Sequence, residues 1–543
     1  MRGLLTLACL LLALPVAGLL GSWLTFDAAA LAVLQHQART VLVGYALESL
    51  WLSLGVAAGV AALGVATAVA VALFRFPGRA WFEWALLLPL AMPAYVLAYA
   101  YTDALQFSGP VQSALRAALG SHGALWPDVR SLWGAVLLFV LCLYPYVYLL
   151  TRAALGERAV HMMEAARLLG ASLRRRVVTV ALPLARPAVM AGVALALMET
   201  LADYGVGSYF GLSTFTTGIY RAWLSMNDAN AAAQLASMLL LLVAVLLALE
   251  RHAQSRLRFA ATRSGALHAD EALPVPLRGA AAGAAVALCA LPVLLGFVLP
   301  VGWLLLMVWR EASGNHIGLP LARFAEWAWA SFSLAALAAL MATGLALALG
   351  FALRQRVSKL DGVLALAARM LSLGYAIPGA VVAIGILLPV AWVQSRWPAS
   401  GAAALFTGTA VGVLFAYLVR FSAVALQSVE AGYSRVPLAL DETSRMLGAS
   451  RGRLFGRLHL PLLQRSALAA ALLVFVDTMK ELPATLVLRP FGSDTLAVVA
   501  YNLARDERLA EASLPSLAIV AVGLLPVVLL ARTMARPMAA AHN

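Results

Sequence analysis

The sequence predicts an all-α polytopic membrane protein. About twelve transmembrane helices form two tandem six-helix halves, related by a pseudo-twofold axis along the membrane normal. Three observations predict this. The 543 residues are 63% apolar and 12% charged, with a mean hydropathy of +0.89, which excludes an ordinary water-soluble surface. Twelve apolar stretches approach the roughly 20 residues that a helix needs to cross hydrocarbon. Two polar segments match each other at a fixed offset, Glu164 against Glu442.

The spans fall at 4–24, 44–73, 83–105, 132–151, 187–206, 231–250, 280–309, 329–353, 363–391, 403–427, 465–485 and 514–531. They read as helices because barrel strands alternate apolar and polar residues over about 10 positions. Ala231 to Leu249 and Gly279 to Leu299 are instead apolar on every side. Arg2 ahead of an apolar run imitates a secretory signal, with small residues near Gly18 to Gly21 as a cleavage site. Retention of this helix is the expectation, since it keeps the number of spans even. Most of the 39 Arg and Lys residues fall on alternate loops, on the side of the N-terminus, which places both termini in the cytoplasm. The net charge of +14 then reflects topology and anionic lipid, with no nucleic acid. Cys9, Cys142 and Cys289 each lie inside a span, far apart, and read as small packing residues.

The matching segments are Glu164-Ala-Ala-Arg-Leu-Leu-Gly170-Ala-Ser and Glu442-Thr-Ser-Arg-Met-Leu-Gly448-Ala-Ser. Both run on in register to a Leu-Pro-Leu, at Leu182-Pro183-Leu184 and Leu460-Pro461-Leu462, and the register still holds at Glu199-Thr200 and Asp477-Thr478. The chain therefore divides into a first half, 1–250, with a polar loop at about 152–186; a cytoplasmic linker, 251–279; and a second half, 280–543, with its loop at about 428–464. In each loop a short helix, Met162 to Leu169 in the first, should stop at a left-handed glycine, Gly170. A second short helix from Leu173 to Val180 follows, and Pro183 turns the chain back to the membrane. Such a bent pair suits docking into a partner's cleft and moving as a lever. One copy alone reads equally as an amphipathic helix on headgroups through Arg174, Arg175 and Arg176; two copies with identical spacing favour docking.

These residues resemble the EAA-loop signature of binding-protein-dependent ABC importer permeases of type I. There, Glu-Ala-Ala, a Gly six residues on and a downstream Leu-Pro form a coupling helix. The first copy carries Glu164, Ala165, Ala166, Gly170 and Pro183; the second keeps Glu442, Gly448 and Pro461, with Thr443-Ser444 in place of the alanines. The resemblance covers both halves. It implies a multi-pass protein of the bacterial inner membrane, two copies of an ABC ATPase subunit gripping the two loops from the cytoplasm, and a periplasmic substrate-binding protein. The chain has no Gly-x-x-x-x-Gly-Lys-Ser/Thr loop, and its only lysines are Lys359 and Lys480. ATP and Mg are accordingly used by the partner ATPase, with no cofactor bound here and no catalytic residue. A narrower resemblance is to the fused permeases of ferric-iron importers, grouped with those for thiamine and aminoethylphosphonate. Its carriers are the segment from Leu88 through Pro93 to Asp103, Glu199-Thr-Leu-Ala-Asp203-Tyr-Gly, Asp477-Thr-Met-Lys480-Glu481-Leu-Pro483, and Tyr375-Ala-Ile-Pro378-Gly. It implies ferric iron as cargo, with thiamine or aminoethylphosphonate as the alternative.

Ionisable groups at a helix centre in the bilayer cost about 2.5–3.5 kcal/mol on insertion scales and usually face a cavity or one another. Glu199 and Asp203, four apart, should share one face of the fifth span, and Asp477, Lys480 and Glu481 take the matching place in the eleventh. Two compatible readings stand. They line a translocation pathway for a cation, or Lys480 pairs with Asp477 or Glu481 in a structural network. No strong metal site is expected, since a pathway must release its cargo. Pro93 and Pro378 interrupt their spans as candidate gates or plain kinks, and Tyr95, Tyr99 and Tyr101 read as packing or interfacial aromatics. His161, His252, His268 and His459 read as solvated loop residues. A secondary transporter would share the twelve-helix plan but needs no matched loops, and a membrane enzyme would need a metal-spaced cluster or nucleophile motif that the chain lacks.

Overall fold

The computed structural model describes residues 2–24, 27–155, 160–261, 275–314, 321–355 and 361–539. Among them, eleven helices are long and apolar enough to cross a membrane. A further span is a bent pair, Arg79–Ala91 and Ala94–Leu119, turning through 88° at the break. The expected span 83–105 is thus two segments. Pro93 has no N–H to donate and disfavours helical backbone in the residue before it, so Met92 goes extended (ψ 105°) and Pro93 becomes the cap of Ala94–Leu105 (φ −55°, ψ 141°). Pro378 does the same (φ −56°, ψ 141°), dividing the expected span 363–391 into Asp361–Leu371, a short turn and Gly379–Arg396.

The opposite correction applies to Pro183 and Pro461, where a turn was expected. The chain is helical without interruption over Leu173–Ala202 and over Arg451–Met479. A π turn precedes each proline, Val177–Ala181 and Leu454–His459, with the N–H of Leu182 bonded to the Val177 carbonyl and that of Leu460 to the Phe455 carbonyl. The wider turn removes the crowding that a proline ring causes against the carbonyl four residues back. Pro300 follows a third such turn, Leu294–Val298.

The helices form two compact units, each combining segments of both sequence halves. One comprises Met1–Gln37, Ile219–Leu240 and Pro320–Val499; the other comprises Ala38–Gly218, Leu241–Leu319 and Ala500–Asn543. In the first unit, Leu321–Arg354, Val411–Tyr433 and Leu460–Met479 pack on one another, and Arg2–Gly21 lies on Gly379–Arg396. A Cβ on Gly385 would sit 2.3 Å from the Pro15 carbonyl oxygen. In the second unit, Leu42–Leu73, Leu132–Ala154 and Leu182–Ala202 pack together, as do Leu299–Ser313 and Leu509–Ala539. The one β-pairing among the described residues is also here, where Phe74–Arg75 runs parallel to Val275–Pro276 at the end of the linker. Linker residues 262–274, which include His268, lie outside the described residues, as does Lys359.

Lipid offers no hydrophobic drive between helices, so close backbone approach over small residues supplies the contact energy. Gly55, Gly59 and Gly64 meet Val136, Val140 and Val147 in this way. A Cβ at Gly59 would lie 2.3 Å from Val140 Cγ2, whereas one at Gly283 would meet nothing within 4 Å. Gly59→Leu should therefore cost about 1–3 kcal/mol through overpacking. Thermal unfolding of the detergent-purified protein should show a lower midpoint for Gly59→Leu and an unchanged one for Gly283→Leu.

Candidate functional site

The two polar loops repeat each other bond for bond at their turns. The first loop helix, Val160–Leu168, carries Glu164, Ala165 and Ala166; the second, Leu438–Met446, carries an exposed Glu442. Both end at a left-handed glycine, Gly170 (φ 79°) and Gly448 (φ 78°), a conformation that costs glycine little. The N–H of Gly170 bonds the Arg167 carbonyl (2.9 Å) and that of Ala171 the Ala166 carbonyl (3.0 Å). Gly448 and Ala449 bond Arg445 and Ser444 at the same two distances. Ser172 and Ser450 then cap the next turn, accepting from the Arg175 and Arg453 N–H groups. Sequence reasoning missed what the helix ends present. Leu168 and Leu169 are 90% and 88% exposed, and Met446 and Leu447 are 89% and 83% exposed. The signal was visible as an apolar pair directly before each glycine.

The ionisable residues separate by role. Glu199 lies on Leu182–Ala202, but the helix ends before Asp203 (φ −72°, ψ 132°), so their four-residue spacing does not place them on one helix face as expected. Asp203 Oδ1 instead accepts from the Val206 N–H at 2.8 Å, capping the short helix Gly205–Tyr209. Glu481 does the same for Pro483–Leu488. Its Oε1 accepts from the Ala484 N–H (2.9 Å), and its Oε2 from the Thr485 N–H (3.0 Å) and hydroxyl (2.6 Å). Arg420 Nη1 completes this carboxylate at 2.8 Å, the Glu481 side chain being 1% exposed. Lys480 pairs with Asp477 at 2.9 Å, both partly exposed. Glu199 and Asp203 belong to one compact unit, and Asp477, Lys480 and Glu481 to the other.

The breaks at Pro93 and Pro378 also draw on side chains. Beside Pro93, Tyr144 donates to the Leu86 carbonyl (2.9 Å), Tyr148 to the Glu83 carbonyl (2.9 Å) and the Cys142 thiol to the Met92 carbonyl (3.4 Å). Tyr101 donates to the Leu295 carbonyl at 2.6 Å, while Tyr95 and Tyr99 are buried with ring centroids 5.8 Å apart. One expectation fails plainly. His459 is fully buried, not solvated, with Nδ1 3.1 Å from the Tyr433 hydroxyl. His252 is exposed, and the His161 side chain lies outside the described ones.

Removing one partner of a buried ion pair strands the other charge, at about 3–5 kcal/mol, whereas a partly exposed pair contributes about 0–1 kcal/mol. Arg420→Ala should therefore lower the unfolding midpoint of the purified protein sharply and Lys480→Ala barely. Equal effects would show that Glu481 draws its stability from its backbone bonds and not from Arg420.

The comparisons with known proteins agree with this architecture. Residues 60–259 match the family described as binding-protein-dependent transport system inner membrane component. The Fe(3+)-transport system permease protein FbpB 2 of Haemophilus influenzae is 24% identical over 87% of this chain and 86% of its own length. The probable ABC transporter permease protein y4fN of Sinorhizobium fredii is 24% identical over 94% and 90%. A putative 2-aminoethylphosphonate transport system permease protein, PhnU of Salmonella choleraesuis, is 27% identical over 39% of this chain and 76% of its own. Residues 60–259 thus match the family of inner membrane components of binding-protein-dependent transport systems, and the chain over most of its length is similar to fused transport permease proteins.

Proposed function

We propose that this permease moves ferric iron from periplasm to cytoplasm by alternating access, with two copies of an ABC ATPase subunit gripping its two polar loops. Both termini then lie in the cytoplasm, and a loaded periplasmic binding protein docks on the opposite face. The observation that carries the reading is the duplicated loop, which ends in each copy on an exposed apolar pair before a left-handed glycine. An apolar knob outside the membrane spans is costly in water and finds its place in a partner's groove. On this reading Glu164, Ala165, Ala166, Gly170 and Pro183 build one coupling element, and Glu442, Gly448 and Pro461 the other. The continuous helices Leu173–Ala202 and Arg451–Met479 give each element a rigid connection into the membrane. ATP binding would open the path outward, and hydrolysis with product release would restore the inward-facing state.

Ferric iron as cargo is supported by the relative named for it, which matches nearly end to end. The aminoethylphosphonate relative covers a smaller part of the chain. Glu199, Asp203, Asp477, Lys480 and Glu481 remain the candidate pathway, with Pro93 and Pro378 at its broken helices. The caps at Asp203 and Glu481 favour a structural share in that role.

Leu168→Asp combined with Met446→Asp should abolish co-purification of the ATPase with an otherwise normally inserted permease; undiminished co-purification would exclude the loops as the docking site. Gly170→Val with Gly448→Val places β-branched residues where left-handed backbone costs about 1–2 kcal/mol each. It should uncouple ATP hydrolysis from transport while leaving membrane insertion intact. The cargo is tested by uptake of labelled ferric iron, thiamine and aminoethylphosphonate in cells with and without this gene. Loss of iron uptake alone, restored by complementation, is the expected result, and loss of either other uptake alone would replace iron.

A further inference from the structure

The second loop is fastened to the membrane helices by a buried charge clamp, at positions where the first loop has Leu155, Met163 and Ala181. Arg354, the last residue of Leu321–Arg354, has a side chain only 9% exposed. Its Nε donates to Asp441 Oδ2 at 2.7 Å and its Nη2 to Oδ1 at 3.3 Å. Nη2 also donates to the carbonyls of Val436 and Pro437, each at 2.9 Å, and Nη1 to that of Tyr433 at 3.4 Å. A single guanidinium thus holds the end of Val411–Tyr433, the hinge after it and the first turn of the loop helix Leu438–Met446. His459 backs the clamp: Nε2 lies 3.1 Å from Asp441 Oδ1 and Nδ1 3.1 Å from the Tyr433 hydroxyl. The adjoining Gln355 is buried too, and its side-chain oxygen accepts from Arg445, one helical turn beyond Asp441.

The first copy shows that the fold of the loop does not require this arrangement. Leu155, Met163 and Ala181 stand where the second copy has Tyr433, Asp441 and His459, and all three are buried. Leu42–Leu73 has no basic residue in its last turn. The backbone turns of the two loops are nevertheless the same. A buried ion pair gains little stability over well-packed apolar residues of similar volume. What it adds is direction, because the planar fork of arginine fixes the carboxylate it grips.

We propose that Arg354 is a positioning residue that pins the second coupling loop to Leu321–Arg354, so that displacement of the loop is carried into that helix instead of being absorbed at the Tyr433–Pro437 hinge. This rests on the reading of the loops as ATPase-docking elements. The test uses the complete importer, permease with its ATPase and binding protein, reconstituted in proteoliposomes. Uptake per ATP hydrolysed is compared for wild type, Arg354→Lys, Arg354→Gln, Asp441→Asn and a variant copying the apolar seat of the first loop (Tyr433→Leu, Asp441→Met, His459→Ala). A nitroxide at Arg451→Cys reports loop mobility in the same samples. Arg354→Gln and Asp441→Asn should lower uptake per ATP by about fivefold and add a mobile spectral component, with Arg354→Lys between them and wild type. Unchanged uptake per ATP in those two variants, or wild-type coupling in the apolar copy, would overturn the pin. If a single variant accumulates poorly, the apolar copy decides through both readouts. ATPase co-purification separates the two ideas: ATPase held normally with unchanged coupling sinks the pin alone, while ATPase that ignores both loops sinks the docking reading.

Discussion

A peptide group inside hydrocarbon has no water to bond, so each interruption of a membrane helix must be closed by the protein itself. Much of this structure follows from that constraint. Pro93 and Pro378 end helical hydrogen bonding in the middle of apolar stretches, and the chain answers with side chains that reach the freed groups. Tyr144, Tyr148 and Cys142 close carbonyls on one side of the first break. Asp203 and Glu481, at matching positions of the repeat, take up the N–H groups that begin Gly205–Tyr209 and Pro483–Leu488. The expense of ionisable groups in the membrane is thereby offset, since each carboxylate accepts from backbone N–H groups that begin a helix, that of Val206 at Asp203 and those of Ala484 and Thr485 at Glu481.

The same constraint explains why the prolines of the loops behave differently. Pro183 and Pro461 lie inside helices that run unbroken over Leu173–Ala202 and Arg451–Met479, where the missing N–H and the ring must be accommodated within the helix. A π turn before each lets the helix run on into the loop. The polar loop and its membrane helix are thus continuous on that side. On the other side of the second loop, Arg354 holds the carbonyls of Val436 and Pro437 between Val411–Tyr433 and the loop helix.

Sequence alone makes a good part of this legible. The spans at 44–73 and 132–151 correspond to Leu42–Leu73 and Leu132–Ala154 because they are continuous and apolar. The loop repeat was legible because Gly170 and Gly448 must be glycine for the turn to close. Pro93 and Pro378 were legible as interruptions, but the division into separate helices was not, since a hydropathy window averages across both as if the backbone were unbroken. Of the two partners that the sequence offers Lys480, Asp477 is the one it meets, whereas Glu481 faces Arg420, 61 residues away and invisible to local spacing. His459 looked like a solvated loop residue because the helix Arg451–Met479 extends eight residues beyond the histidine toward the loop, a continuation that Pro461 concealed.

The two halves share their turns and differ in their charges, which is informative about how a duplicated chain diverges. Glu481 is held by Arg420, whereas the residue matching Arg420 in the first half is Cys142, and no arginine stands at the corresponding place beside Asp203. Asp441 is held by Arg354, whereas Met163 needs no partner of opposite charge. In both cases the second half carries a buried arginine–carboxylate pair, where the first has a thiol beside a capping carboxylate, Asp203, or an apolar residue, Met163. Backbone geometry is therefore the shared requirement, met by identical bonds at Gly170 and Gly448, and the surrounding packing is free to be polar or apolar. A charge pair constrains direction and apolar packing constrains mainly volume, so on the proposal that Arg354 pins the second loop, the two loops share their turns but not the means by which their motion would be directed.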